Sequence, residues 1–173
     1  MTALPVPSQV IVSPRAATLD DVPAMVQLMG PYIATGDLLP RTAADLERDI
    51  ANYRVATDQH GKVIGMGGLK PYSSGLAEVI ALAVAPQAQG QGVGLGVVER
   101  LLDRAAELGF ADVFALTRVP GFFHRLGFTT VEKSRFPLKV WFDCARCPRR
   151  HSCDEIAVHL TDVALKQKSP RVG

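Results

Sequence analysis

The first hydrophobic positions of the chain follow helical spacing. Thr18 is a typical N-cap residue, and the pattern after it predicts a helix that ends near Gly30-Pro31. The apolar residues at this spacing are Val22, Met25, Val26, Leu28 and Met29. Thr42 in the same way predicts the start of a second helix over 43–53. A short strand is predicted within 9–18, so the chain opens with one strand and two helices.

The middle of the chain changes to strand patterns. Three consecutive strands are predicted over 53–57, 62–69 and 77–84. Residues 58–61, with the sequence DQHG, form a plausible hairpin turn between the first two strands. The loop over 70–75 is also short. Strands joined by such short connections predict an antiparallel meander.

The second half alternates helix and strand. A long amphipathic helix is predicted from Gly92 to Leu108, and Gly109 is well placed to end it. Its apolar positions are Val93, Val97, Val98, Leu101, Leu102, Ala105 and Leu108. The elements predicted after it are a strand over 111–117, a short helix within 120–128, and strands over 129–132 and 155–160. The whole pattern predicts one α/β domain.

Composition and charge limit the classes of function. The 173 residues, of which 47% are hydrophobic, suit one soluble globular domain. The 19 basic and 17 acidic residues are mixed along the chain, which argues against a nucleic acid or an anionic membrane as partner. No apolar run approaches the ~18 residues of a membrane span, and the N-terminus lacks a signal-peptide pattern. We therefore expect a cytoplasmic protein with a domain over 10–165, a flexible lead-in over 1–9 and a flexible tail over 166–173.

The junction between the third strand and the long helix is rich in glycine. Gly90, Gly92 and Gly94 carry no Cβ, so their amides, with those of Gln91 and Val93, can curl around a phosphate group. A helix N-terminus adds unpaired N–H groups and a positive dipole end. A flexible turn is the alternative interpretation. The spacing fits neither the ATP-binding P-loop nor the NAD-binding G-x-G-x-x-G motif, so a different phosphate-bearing ligand is favoured.

The motif Gln89-x-x-Gly92-x-Gly94, placed directly after a strand, resembles the GNAT superfamily of acetyl-CoA-dependent N-acetyltransferases. The resemblance covers roughly residues 10–160, from "RAATLDDVPAM" to "HRLGF". It implies a mixed, mostly antiparallel central sheet flanked by helices, with acetyl-CoA as cosubstrate. It also implies that the amides of residues 89–94 hold the CoA pyrophosphate. In addition, the strand containing Leu82, Ala83 and Val84 would pair with the pantetheine arm, and the Leu82 N–H would face the thioester carbonyl.

Glu78 is the predicted general base, because amide formation requires a neutral amine. It matches the glutamate that many family members carry on this strand, and burial among its apolar neighbours would raise the pKa of its carboxyl. Phe123 stands where the family often has a tyrosine as general acid, which leaves the donor of that proton open. His124 is expected on the surface, and Tyr72 is a weaker alternative.

The stretch "LTRVPGFFHRLGF" resembles the acetyltransferase domain of bacterial N-acetylglutamate synthases, in a short single-domain form. This resemblance implies that Arg118 and Arg41 hold the carboxylates of an amino acid, with Lys70 as an added charge. L-Glutamate is the predicted substrate. The alternatives are another amino acid, a peptide N-terminus, a polyamine as the least favoured acceptor, or a non-catalytic acyl-CoA sensor or adaptor. A homodimer is left open.

Cysteines cluster near the C-terminal end of the chain. Cys144, Cys147, His151 and Cys153 could form a Cys3His zinc site, but the second pair of ligands is compressed. Buried thiols or a redox-labile pair rank above metal binding. The segment 136–144, with Trp141 as a packing anchor, is predicted to lie beside the substrate pocket.

Overall fold

The computed structural model describes residues 13–136 and 154–163, which form seven strands and four α-helices. The strands are β1 (Arg15–Ala16), β2 (Tyr53–Thr57), β3 (Val63–Pro71), β4 (Leu76–Val84), β5 (Asp112–Thr117), β6 (Thr129–Val131) and β7 (Ile156–Leu160). The helices are α1 (Val22–Ala34), α2 (Ala43–Arg48), α3 (Val93–Glu107) and α4 (Pro120–His124). The predicted lead-in over 1–9 and tail over 166–173 lie outside the described residues.

All seven strands belong to one sheet in the order β1-β2-β3-β4-β5-β7-β6. The pairing of β4 with β5 is parallel, and the other five pairings are antiparallel. Helices cover both faces, because buried residues of α3 pack on one side of the sheet and those of α1 and α2 on the other. The predicted α/β architecture with a mixed, mostly antiparallel sheet is confirmed.

The helix α3 follows the predicted pattern closely. Its buried positions are Val93, Gly94, Val97, Val98, Leu101, Leu102 and Ala105. Leu108 was expected on the same face but is 42% exposed, because the helix ends at Glu107 and Gly109 turns the chain with φ of 83°. One apolar face is therefore enough to dock α3 on the sheet.

Two predicted helix ends are wrong. The helix α1 continues through Pro31 and ends at Ala34, and Gly36, which has φ of 78° and donates its N–H to the Ile33 carbonyl, turns the chain after it. A proline inside a helix removes one backbone hydrogen bond and crowds the carbonyl four residues earlier, and burial of the apolar face of α1 offsets this cost. The helix α2 ends at Arg48 instead of 53, because Tyr53 is buried in β2 against Gly68, where a Cβ would lie 2.6 Å from the tyrosine ring.

The strand β4 bulges and then separates from β5. Gly68 pairs with Ile80 and Met66 with Ala83, so Ala81 and Leu82 together oppose one residue of β3. Ala81 has φ of 53°, a conformation rarely adopted by an L-residue with a side chain. The parallel pairing of β4 with β5 covers Leu76–Glu78, and beyond Glu78 the described residues of the two strands form no further pairs. A gap therefore opens in the middle of the sheet.

Candidate active site

A cleft of about 950 Å³ fills the gap between β4 and β5. Its walls come from the turn after α1, from β4, from the N-terminus of α3 and from the end of β5. Predicted site residues that line it are Arg41, Glu78, Leu82, Val84, Gln89, Gly90, Gly92, Val93, Gly94 and Arg118. The structure thus brings residues from distant parts of the sequence to one cavity.

The glycine-rich loop forms the end of the cleft at α3. Gly90 and Gly92 have φ of 77° and 81°, and a Cβ at either position would meet no atom within 4 Å. Their conformation therefore needs glycine, while the space beside them stays open. Gly94 differs, because a Cβ there would lie 3.2 Å from the Phe122 ring. The loop leaves room for a phosphate group at the N-terminus of a 15-residue helix.

Two predicted cofactor residues have side chains that point elsewhere. Ala83 packs in the core on the α1 side of the sheet, and the Gln91 side chain donates to the Gln87 carbonyl at 3.3 Å. Their predicted contribution is through the backbone. Their side-chain positions neither support nor oppose that role.

Tyr32 of α1 lines the cleft and is bound to β4 and to the glycine-rich loop. Its hydroxyl donates to the Val84 carbonyl at 2.5 Å and accepts a hydrogen bond from the Gln89 side chain at 2.9 Å. Val84 lies on the part of β4 that has separated from β5. The Tyr32 hydroxyl thus binds the Val84 carbonyl, a backbone acceptor that a neighbouring strand would otherwise use.

Glu78 lies at the point where the two strands part. It is 3% exposed, pairs with Phe114 of β5 and with Lys70 of β3, and lines the cleft. The expected burial of this carboxylate is confirmed. A buried carboxyl at the edge of a cleft is suited to hold or release a proton.

The candidates for a general acid are placed differently from one another. Phe123 is buried, makes edge-on contacts with Phe122 and Phe128, and also lines the cleft, where it offers no proton. His124 is exposed and lies 2.9 Å from the Thr130 hydroxyl, as predicted for a surface residue. Tyr72 packs against Phe114 and lies under the Lys70 ammonium, and it does not itself line the cleft.

Arg41 and Arg118 lie far apart in the sequence, and both line the same cleft. Arg41 also borders a smaller cavity of about 220 Å³ between α2 and β3, and Lys70 lines this second cavity. The two predicted arginines therefore line one cleft, and the predicted Lys70 lines the smaller cavity that Arg41 also borders.

Arg118 is held by two carboxylates. Its Nε donates to Asp154 at 2.7 Å and its Nη1 donates to Asp37. The hydrogen bond to Asp154 is the main cause that raises the pKa of Arg118, and the negative charges of Asp154 and Asp37 add to it. The guanidinium is thus held as a cation on the wall of the cleft.

Sequence reasoning missed Tyr32 and Asp37. Both follow the Gly30-Pro31 pair at which the sequence pattern predicts the end of α1, so the pattern places neither of them at a site. The available signal was Gly36, which is the true helix terminator and places Asp37 directly after it.

No cluster of His, Cys, Asp and Glu that could hold a metal ion occurs within residues 13–136 and 154–163. The zinc candidates Cys144, Cys147, His151 and Cys153, and Trp141, lie outside the described residues. Among the helices that the structure describes, none combines the length and the apolar character needed to cross a membrane.

A split sheet whose opening meets a glycine-lined helix N-terminus defines an acyl-CoA-binding transferase. The model of the acetyltransferase (GNAT) family matches residues 27–128, and the chain belongs to that family. The predictions of an acyltransferase and of acetyl-CoA as its cosubstrate are thereby confirmed.

Relatives with known sequences agree with this assignment. An uncharacterized N-acetyltransferase of Chlorobaculum tepidum is 38% identical over 83% of this chain and 92% of its own length. An amino-acid acetyltransferase of Mycobacterium tuberculosis is 36% identical over 76% of each chain. The amino-acid acetyltransferase of Ralstonia nicotianae is 42% identical, but the match spans 66% of this chain and only 26% of that protein.

Solved structures share the fold. A Mycobacterium tuberculosis protein in complex with CoA and NLQ has a TM-score of 0.75 and 31% identity, covering 86% of this chain and 98% of its own. N-acetylglutamate synthase of Neisseria gonorrhoeae, with CoA and N-acetyl-glutamate, has a TM-score of 0.75 and 27% identity, covering 88% of this chain and 35% of that one. The predicted resemblance to the synthase domain is confirmed, and L-glutamate as substrate stays a prediction.

Proposed function

We propose that this protein acetylates the amino group of an amino acid, and that L-glutamate is the preferred acceptor. The observation that carries the proposal is the placement of Arg41 and Arg118 on the walls of the cleft that also contains Glu78 and the glycine-rich loop. Two cations at separate points fit a molecule with two carboxylates. The names of the amino-acid acetyltransferase relatives support the same class of acceptor.

The backbone is the part of the chain that would hold the cosubstrate. Bound acetyl-CoA supplies a thioester carbonyl as the acetyl donor. The amides of residues 89–94 are the proposed donors to the pyrophosphate, and the space beside Gly90 and Gly92, where a Cβ would meet no atom within 4 Å, leaves room for it. The segment of β4 beyond Glu78 does not pair with β5 and would present its backbone to the pantetheine arm, with the Val84 carbonyl available once the Tyr32 hydroxyl releases it. At the bulge, the Leu82 N–H is the proposed donor to the carbonyl oxygen, where one such donor stabilises developing negative charge.

Glu78 is the proposed base. An α-ammonium group must lose a proton before its nitrogen can attack, and a buried carboxylate at the opening of the cleft can accept it directly or through water. The CoA thiolate that leaves must be protonated, and Phe123 cannot donate a proton. We therefore assign this protonation to no side chain.

The experiment is an acetyl-transfer assay on the purified full chain. Free thiol release from acetyl-CoA is followed with the twenty amino acids, a peptide with a free N-terminus and spermidine, and the products are identified by mass. Glutamate should be the best acceptor, and glutamine should be about ten- to a hundredfold less efficient because it lacks one charged hydrogen-bonding group.

The pattern of acceptors separates the alternatives. Equal use of glutamate and glutamine would refute the dicarboxylate preference while leaving an amino-acid acetyltransferase. Tight CoA binding without turnover on any amine would instead support an acyl-CoA sensor. The variant Arg125→Ala is a matched control for Arg41→Ala, because Arg125 also lines the cleft but has no proposed contact with the acceptor.

A further inference from the structure

The Arg118 guanidinium has both of its carboxylate-binding edges in use. An arginine binds a carboxylate through two parallel hydrogen bonds, either along the edge of Nε and Nη2 or along the edge of Nη1 and Nη2. Asp154 accepts from Nε, and Asp37 accepts from Nη1. A further carboxylate can bind Arg118 with two hydrogen bonds only after one of these aspartates leaves.

The two aspartates differ in position. Asp37 lines the cleft together with Arg118, whereas Asp154 precedes β7 and is outside the set of residues that line it. A molecule that enters the cleft therefore meets the edge of Arg118 held by Asp37. Asp154 stays at the far edge and keeps the guanidinium in place.

Asp37 is bound to Arg118 through one of its two carboxylate oxygens. Its Oδ1 accepts from Arg118, and its Oδ2 accepts from the Thr35 hydroxyl at 2.5 Å. A carboxylate with two oxygens on the same edge would make two charged hydrogen bonds in place of one. Exchange of Asp37 for such a ligand is therefore favourable at the arginine.

The turn that carries Asp37 is anchored on the end of α1. The backbone N–H groups of Asp37 and Leu38 donate to the Tyr32 carbonyl at 2.8 and 3.1 Å, and the Tyr32 hydroxyl binds the Val84 carbonyl of β4. Release of Asp37 from Arg118 leaves the turn anchored at its helix end. The aspartate can thus swing away without unfolding α1.

We propose that Asp37 is an internal carboxylate that holds the acceptor's place on Arg118 and is displaced when the carboxylate of the acceptor binds. This inference rests on the proposed function, since it assumes an acceptor with a carboxylate. Asp37 then lowers the apparent affinity of every carboxylate that must displace it by the same factor, so a ligand that makes two hydrogen bonds with Arg118 still binds where a ligand that makes one does not.

The test measures binding of glutarate, a dicarboxylate without an amine, to the full chain loaded with CoA. Isothermal titration calorimetry compares the unchanged protein with Asp37→Asn, Asp37→Ala and Asp154→Asn. Both Asp37 variants should bind glutarate about tenfold more tightly if Asp37 occupies Arg118 in nine of ten molecules. Asp154→Asn, the matched control, should bind no more tightly than the unchanged protein.

An unchanged or raised Kd for both Asp37 variants, with unchanged thermal unfolding, would overturn the proposal and would make Asp37 a positioning residue for Arg118. Absence of measurable binding to all four proteins would overturn it as well. Because glutarate cannot be acetylated, this result is independent of turnover. Failure of the proposed function would show separately, as absent acetylation of glutamate beside tighter glutarate binding in the Asp37 variants.

Discussion

Replacing Gly92 by alanine tests the glycine-rich loop, and the chain contains its own control. Gly92 and Gly61 both have φ of 81°, and a Cβ at either would meet no atom within 4 Å. Gly92 is the N-cap of α3 in the cleft, whereas Gly61 lies in the turn between β2 and β3. The two substitutions therefore introduce the same backbone strain at two different places.

The strain sets the magnitude. A left-handed conformation at a residue with a side chain costs about 1–2 kcal/mol. At Gly61 this cost should appear as a lower free energy of unfolding. At Gly92 the loop of the variant can leave the left-handed conformation while no CoA is bound. Binding of CoA then requires that conformation again, so the cost of the strain is subtracted from the binding free energy. This amounts to an affinity loss of about 5- to 30-fold, to which contact between the added methyl group and the pyrophosphate would add.

The assay pairs two measurements on each variant: the Kd of CoA by calorimetry and the free energy of unfolding by urea. Gly92→Ala should weaken CoA binding, and Gly61→Ala should lose stability with wild-type CoA affinity. Equal Kd values for the two variants would remove the loop from the cosubstrate site. Gly94→Val is less informative, because its side chain would also collide with Phe122.

Three further predictions concern catalysis, recognition and stability. Glu78→Gln should lower turnover by about 10²-fold near neutral pH, with partial recovery at higher pH as the amine loses its proton unaided; an effect independent of pH would contradict its role as base. Arg41→Ala should raise the KM for glutamate about tenfold and leave that for acetyl-CoA unchanged; an unchanged glutamate KM would exclude Arg41 from the acceptor site. Hydrogen bonds from Arg15 are the main cause that lowers the pKa of Asp21. A lowered folded-state pKa gives stability above the usual value near 4 that is lost as pH falls through the lowered pKa. Asp21→Asn should therefore lower the free energy of unfolding by about 1 kcal/mol at pH 7, given the exposure of Arg15, and by less in acid; equal losses in urea unfolding at pH 7 and pH 2 would contradict this.

The sequence predicted those helices, strands and turns whose conformation is determined by residues close together in the chain. The face of α3 could be predicted because a helix on one side of a sheet repeats its buried residues every three to four positions. The strands β2, β3 and β4 could be predicted because short turns separate apolar runs. The loop at Gly90 and Gly92 was found because it requires glycine whatever surrounds it.

Tertiary causes limited the rest. Nothing in an alanine shows that Ala81 adopts a left-handed conformation, since the pairing of β4 with β3 imposes it. The hydroxyl of Tyr32 meets Val84 only after α1 docks, and Asp37 meets Arg118 across 81 residues of sequence. Positions of this kind depend on the packed fold, which no window of the sequence contains.

The opening between β4 and β5 also bears on self-association of the protein. A strand with an unpaired edge is a template on which a second chain can add a strand. In most sheets that edge lies at the rim, where charges or bulges protect it. Here the edge from Val79 to Val84 lies inside the fold, and Tyr32 covers the Val84 carbonyl. A ligand that lies along β4 would therefore also shield the strand from self-association.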